Sequence, residues 1–453
     1  MKSPAIVLFI TLFVTAALTL PATAFADDEL PPHMVELEAK ISHNQVLLAE
    51  PQEVFATINL EALQAEVEER PPMNLALVID RSGSMRGDRI LQARRAAGHL
   101  VDSLDENDRL ALVTYENTHR VEFESMMATA ENRVKMHEII DGIREAGATN
   151  ISAGYKAGVE IVKEHHHENA VNRVLHLSDG HANRGITDPA QLQALSRQAY
   201  DDGVSTTSIG FGLNYNERLM TGMAVEGSGN YYFVNDGQDL GALVAREMTG
   251  LSATVANRIE VLLDPGHGVE IVDVIGFSHR YRDGQVIVSL SEMEAGTRRN
   301  IVVRLNVVPQ NLETMEILGV RANYRDAIND RHRYRLQKTY AGVTETKSVV
   351  ESNINSDVMT RIERVRMAKQ VDKAMQEYSA GNQEQAAQML AREQARSRAV
   401  RRQYNIDEED LEDLDSSYDR MESTVRVRPA RSREGRQMQM EASEENLDVL
   451  QLF

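Results

Sequence analysis

Apolar and polar residues alternate in two early runs, Val35/Leu37/Ala39/Ile41 and Val54/Ala56/Ile58/Leu60. A side-chain period of two is that of a strand with one buried face. The acidic stretch 61–70 and Pro71-Pro72 close this segment, residues 33–70. From 72 to 252 the pattern changes. Asn74–Asp80 (NLALVID) is a nearly continuous apolar run, as expected of a strand covered on both faces. Ile90, Ala93, Ala97, Leu100 and Leu104 follow at helical spacing. Further strands are predicted at 109–115, 120–123, 172–178, 204–211 and 230–234, and helices at 132–144, 151–164, 188–201 and 239–250. Asp188-Pro189 opens the third of these helices, with proline at a favourable first-turn position. Strand–helix alternation of this kind specifies a doubly wound α/β unit with a mostly parallel sheet.

Residues 255–345 return to alternation, as in Ile259/Val261/Leu263 and Ile301/Val303/Leu305/Val307, with Gly and Asp clusters between the runs. This pattern predicts a small flanking β-sandwich. Two isolated strands are marginal in water. The segment 33–70 is therefore expected to join that sandwich, with the α/β unit inserted between. Residues 356–404 carry two helical stripes joined by Gly381-Asn382, a C-terminal helical hairpin. The acidic block 407–415 and basic block 426–436 mark 405–453 as a charged, mobile tail.

The first residues read as an address. Met1-Lys2 is positive, Ala5 to Leu20 is apolar apart from Thr, Pro21 breaks the run, and Ala24-Phe25-Ala26 offers small residues for cleavage. Residues 1–26 are thus expected to be a signal peptide, exporting the chain to a bacterial periplasm or beyond. An uncleaved anchor is the alternative, although the run is shorter than the roughly 20 residues that span a bilayer. No later segment is apolar enough to cross one. The chain has no cysteine, which excludes a disulfide framework and a lipid-acylated cysteine. A net charge of −20 disfavours nucleic acid as a partner and is compatible with hard cations.

Candidate chemistry gathers at three places. Asp80-Arg81-Ser82-Gly83-Ser84 directly follows the first α/β strand, Gly147-Ala148-Thr149-Asn150 precedes a helix, and Ser178-Asp179-Gly180 ends the strand NRVLHLS. All three fall on the carboxyl edge of the expected sheet, where open α/β folds bind ligands. Two carboxylates and three hydroxyls there suit a hard cation, which takes oxygen ligands. Asp80 and Asp179 as helix caps, with the serines as turn formers, explain each residue singly but not their common edge. His165-His166-His167 lacks the i, i+4 spacing of a helical metal pair and reads as a solvated helix end. His176 is expected to pack, and Gly227-Ser228-Gly229 lacks the lysine of a phosphate-binding loop.

The order DxSGS, then Thr in a G-x-T-N turn, then SDG resembles the metal-ion-dependent adhesion site of von Willebrand factor A domains. RPPMNLALVIDRSGSM and NERLMTGMAVEGSGNYYFV are similar to bacterial exported members related to inter-alpha-trypsin inhibitor heavy chains. The resemblance covers about 73–250. It implies that Ser82, Ser84 and Thr149 contact a cation, while Asp80 and Asp179 act directly or through water. It further implies Mg²⁺ (or Mn²⁺ or Ca²⁺), a protein partner with an exposed Asp or Glu, and no catalysis. Ala148 stands where many members have a second Gly. Two other functions stay open: an Mg²⁺-dependent phosphohydrolase with Asp80 as nucleophile, and a scaffold acting mainly through its C-terminal helical hairpin. Against the hydrolase, the general acid expected two residues after the nucleophile is replaced by Ser82.

Overall fold

The computed structural model describes residues 33–65, 70–178, 182–211, 216–234, 240–290 and 292–452; the expected signal peptide, 1–26, lies outside the described residues. Strands β1 (Val35–Ile41), β2 (Gln45–Leu47) and β3 (Gln52–Ala62) open the fold. The α/β unit follows: β4 (Met73–Asp80), α1 (Asp88–Ser103), β5 (Arg109–Tyr115), β6 (His119–Met127), α2 (Ala130–Gly142), α3 (Ile151–Glu164), β7 (Val171–Ser178), α4 (Pro189–Asp201), β8 (Ser205–Phe211), α5 (Glu217–Glu226), β9 (Tyr231–Val234) and α6 (Leu240–Ser252). Its sheet runs in the order β6-β5-β4-β7-β8-β9. Every neighbouring pair is parallel except β5 and β6. All eight positions of β4 are buried, because helices cover both faces: Ile90, Leu100 and Val244 pack on one side and Tyr155, Leu192 and Met223 on the other. Helix α2 starts two residues earlier than its apolar pattern suggested, since Thr129 caps it by accepting the Asn132 N–H.

Beyond α6 come β10 (Thr254–Pro265), β11 (Val269–Ile275), β12 (His279–Arg282), β13 (Gln285–Leu290), β14 (Met293–Glu294), β15 (Arg298–Val307), β16 (Met315–Asp326) and β17 (Arg331–Thr344). One sheet is ordered β1-β3-β15-β11; the other is ordered β12-β13-β10-β16-β17-β2, with β14 beside β10. The early strands pair with late ones: Ile58 lies opposite Ile301 and Ala56 opposite Val303. The α/β unit is thus an insertion between two strands of one sandwich. Ala56, Ile58, Leu60, Ile301, Val303 and Leu305 face inward to meet Ile259, Val261, Leu263, Val320 and Ala322 of the other sheet. Their alternates Phe55 and Val302 point outward.

Helix α7 (Lys347–Glu351) packs beside β2 and β17, and a layer of helices α8 (Ser356–Ser379), α9 (Gln383–Tyr404), α10 (Glu412–Val427) and α11 (Arg433–Leu452) covers that outer face. Helices α8 and α9 make the expected hairpin. The expectation of a mobile tail over 405–453 is corrected: α10 and α11 are packed helices. Leu411, Leu414, Tyr418, Met421 and Val425 form one buried stripe that shares a core with Phe55, Ile275, Val302 and Ile362. The acidic block that suggested mobility is neutralised in part. Asp415 pairs with the wholly buried Arg401 at 2.7 Å, and Asp413 pairs with Arg364 at 2.9 Å. Glu412, Asp413 and Asp415 also occupy the first turn of α10, where the helix dipole favours negative charge. Met440 and Leu447 of α11 reach Met220, Tyr231 and Phe233 of the α/β unit. Among the described residues no helix is long and apolar enough to cross a membrane.

Because Leu411 is fully buried in this layer, Leu411→Ala is expected to cost about 2–5 kcal/mol of stability in urea unfolding, the range for emptying a packed leucine site. An unchanged midpoint would restore the mobile-tail reading.

Candidate metal centre

The chain leaves β4 toward β5 on one side and leaves β7 toward β8 on the other, so a crevice opens between the carboxyl ends of β4 and β7. Asp80 ends β4 and Ser178 ends β7. The Asp80 side chain is fully buried and held at both oxygens. Oδ1 accepts the Ser82 N–H at 2.8 Å, and Oδ2 accepts the Ser178 hydroxyl at 3.0 Å. The first of these bonds is an Asx turn, which folds the chain back over the strand end. Ser82 and Ser84 then bring their Oγ atoms to 2.9 Å of each other. Adjacent ligand oxygens in an octahedron of roughly 2.1 Å bonds are separated by about 3 Å. The two hydroxyls are therefore spaced as neighbours on one small cation.

The Thr149 loop is bonded to this turn. Gly83 N–H donates to Gly147 O at 3.2 Å, and Ala146 N–H donates to Arg81 O at 2.7 Å. Thr149 is 3% exposed; its N–H donates to Asn183 Oδ1 at 2.9 Å, and its carbonyl accepts the Asn183 N–H at 3.0 Å. Asn183 follows SDG closely in sequence and ties the third loop to the second. Gly147 has φ +68°, and a Cβ there would lie 2.0 Å from the Glu116 carboxylate, so this position needs glycine. Ala148 is not in the left-handed region, so the departure from a second Gly imposes no backbone strain.

The structure brings Asp80, Ser82, Ser84 and Thr149 onto one lip; Asp179 lies outside the described residues. Sequence reasoning named Ser178 in its motif without giving its hydroxyl a role, and passed over Asn183 and Glu116. Glu116 directly follows β5 on the neighbouring strand and faces Arg81 at 3.5 Å. Its place at a strand end was legible; the role of Asn183 was not, because it depends on a contact between loops. Among the described residues no three His, Asp or Glu side chains gather to hold a metal. A seat at this lip would rest on hydroxyl oxygens and few carboxylates, a donor set suited to a hard cation.

His176 lies beneath the crevice, not in it. It is fully buried, with Nε2 2.9 Å from the Tyr115 hydroxyl, and burial pushes its pKa down to about 3. His166 contacts Arg258 at 3.0 Å, so the histidine run abuts the sandwich and is not simply a solvated helix end. Because the folded pKa of His176 lies below the ordinary 6.5, the unfolded chain binds a proton that the folded chain refuses. Stability is expected to fall as pH drops from 6.5 toward 3, by at most about 1.4 kcal/mol per pH unit from this group. Denaturant midpoints across that window should lose less in His176→Gln; identical pH profiles would count against a neutral buried imidazole.

A family model for the von Willebrand factor type A domain matches residues 74–246. The uncharacterized protein YfbK of Escherichia coli strain K12 is 29% identical over 215 residues, 47% of this chain and 37% of that protein. Inter-alpha-trypsin inhibitor heavy chain H3 of Rattus norvegicus is 26% identical over 227 residues, 48% of this chain and 25% of that one. The chain thus matches less than half the length of each of these curated relatives. Among solved structures, a von Willebrand factor type A protein from Catenulispora acidiphila superposes with a TM-score of 0.73 at 18% identity, covering 92% of this chain and 97% of that one. The ArnB paralog VWA2 from Sulfolobus acidocaldarius gives 0.63 at 17% identity, covering 92% and 98%. At such identities the likeness is one of fold, and its extent takes in the sandwich as well as the α/β unit. Residues 74–246 are a von Willebrand factor type A domain, and this chain belongs among the proteins that carry one.

Proposed function

We propose that this chain is a non-enzymatic binding module of the bacterial cell envelope that captures an acidic side chain of a partner protein through a divalent cation. The residues proposed to hold the ion are Asp80, Ser82, Ser84, Thr149 and Asp179. The observation that carries the reading is the 2.9 Å pairing of the Ser82 and Ser84 hydroxyls beside a buried, doubly bonded Asp80 carboxylate. A bound Mg²⁺ or Mn²⁺ would supply an electrophilic position for a carboxylate oxygen from outside. The hydroxyl ligands are neutral, so with Asp80 or Asp179 acting through water the ion would keep much of its charge, which favours that outer ligand. The chain's own part is rigidity. Ser82 N–H and Ser178 fix the carboxylate, and the Gly83–Gly147 bond fixes the distance between the first two loops.

Two observations weigh against the rival readings. Both Asp80 oxygens accept hydrogen bonds and the residue is fully buried, a poor setting for an attacking nucleophile. The apolar stripes of the C-terminal helices are buried in one core with Phe55 and Val302 and so are not offered to a partner.

Calorimetric titration of the metal-free chain with Mn²⁺ is expected to give one saturable site, weakened at least tenfold in Ser84→Ala and lost in Asp80→Ala. Ser84 is exposed, so its variant separates loss of a ligand from loss of fold. Wild-type affinity in both variants would remove the site. In envelope extract, a partner retained with Mg²⁺ should be released by EDTA; equal retention in EDTA would end the metal-bridged mechanism. No phosphate ester is expected to turn over, and Mg²⁺-dependent hydrolysis abolished by Asp80→Asn would restore the hydrolase reading.

A further inference from the structure

A cleft of about 660 Å³ lies where the α/β unit meets the sandwich, at the end of the parallel sheet opposite the Asp80 crevice. Asn172 and Ser205, near the amino ends of β7 and β8, form one wall, and β10, β12, β16 and β17 form the other. The size and the position between two structural units are those of small-molecule sites.

The carboxylates lining the cleft are already engaged. Asp201 and Glu260 both pair with Arg280, Asp202 pairs with Lys163 and Glu292 pairs with Arg173. Arg321 differs. Its Nε donates to Asn323 Oδ1 at 2.9 Å and its guanidinium lies 4.5 Å from the centroid of the Tyr334 ring, so the plane is fixed at its base and on one face. Among the described residues no carboxylate pairs with Arg321 and neither Nη group donates a hydrogen bond. Arg321 is thus an oriented cation on a chain of net charge −20.

Two further features share this wall. Asn257 is 3% exposed, and neither atom of its amide has a hydrogen-bond partner among the described residues. Buried polar atoms are normally satisfied, so this amide is unmet binding capacity. The next residue, Arg258, has φ +51°, within a bulge that shifts the register of β10 against β16 between Asn257 and Glu260. Bulges and left-handed non-glycine residues concentrate where a sheet is bent to aim side chains at a site.

We propose that this cleft binds a small organic carboxylate, gripped by the Arg321 fork, with the exposed Tyr334 ring against the ligand's carbon skeleton; Asn257 lies further along the same wall, opposite Arg325. A planar guanidinium held at Nε presents two parallel donors, the match for a carboxylate's two oxygens. The site is independent of the metal lip and requires no cation.

The test uses the full chain in EDTA, so that no carboxylate can bind through a metal, with acetate, succinate, citrate and benzoate as probes in ligand-observed NMR. At least one is expected to bind saturably. Its affinity should fall at least tenfold in Arg321→Ala and also in Arg321→Lys, which keeps the charge but not the fork. Arg321 is exposed, and an unchanged thermal midpoint confirms that its variants fold. Binding of none of the four, equal binding by Arg321→Ala, or binding only of inorganic phosphate or of an acidic peptide would each overturn the proposal.

Discussion

Asp80 is a carboxylate buried at the end of a strand that is paired on both sides and covered on both faces. Leaving such a group unsatisfied is costly, so the surrounding backbone is constrained to satisfy it. The Ser82 N–H must turn back toward one oxygen and the Ser178 hydroxyl must reach the other from the neighbouring strand. Those two bonds set where the Ser82–Ser84 turn lies. That turn in turn carries Gly83, whose N–H fixes the Thr149 loop. The lip is therefore a chain of dependencies that starts from one buried charge.

The rest of the molecule holds this unit from outside. Insertion between two strands of the sandwich anchors both ends of the von Willebrand factor type A domain in that sandwich. A buried ion cluster adds to it: Arg173 of β7 pairs with Glu247 of α6 at 2.7 Å and also with Glu292 of the sandwich segment. Burial opposes the charge on Arg173, and the two carboxylates more than offset it, so its pKa is raised. Breaking such a pair is more costly than the pair is stabilising, which makes it a device for fixing the mutual position of the two units. The C-terminal helices brace the assembly from another side, through Met440 and Leu447 against the β9 edge.

Much of this was legible in the chain. The nearly unbroken apolar run of β4 marked a central strand, and period-two alternation marked both halves of the sandwich. The argument that two strands cannot stand alone pointed to pairing of 33–60 with the later strands. The strand end carrying Asp80, Ser82 and Ser84, and the helix-opening turn that carries Thr149, pointed to one edge of the sheet. What escaped was set by tertiary contact. The stripe Leu411, Leu414, Tyr418, Met421 and Val425 has helical spacing, but the carboxylates between its first members read as solvent-seeking until Arg401 and Arg364 were found against them. Helix α5 was missed because its apolar residues Leu219, Met220, Met223 and Ala224 are interrupted by glycine and threonine. Asn183 acts through a loop and Ser178 from the end of β7, in contacts that only folding makes.

Anomalous diffraction from crystals grown with Mn²⁺ is the most direct test of the central claim. The expected result is a single strong peak at the carboxyl edge of β4, within about 2.3 Å of the Ser82 and Ser84 hydroxyl oxygens, a bond length for a small hard cation. A map with no peak at that lip at saturating Mn²⁺, or with the ion bound elsewhere and these hydroxyls still bonded to each other, would contradict it.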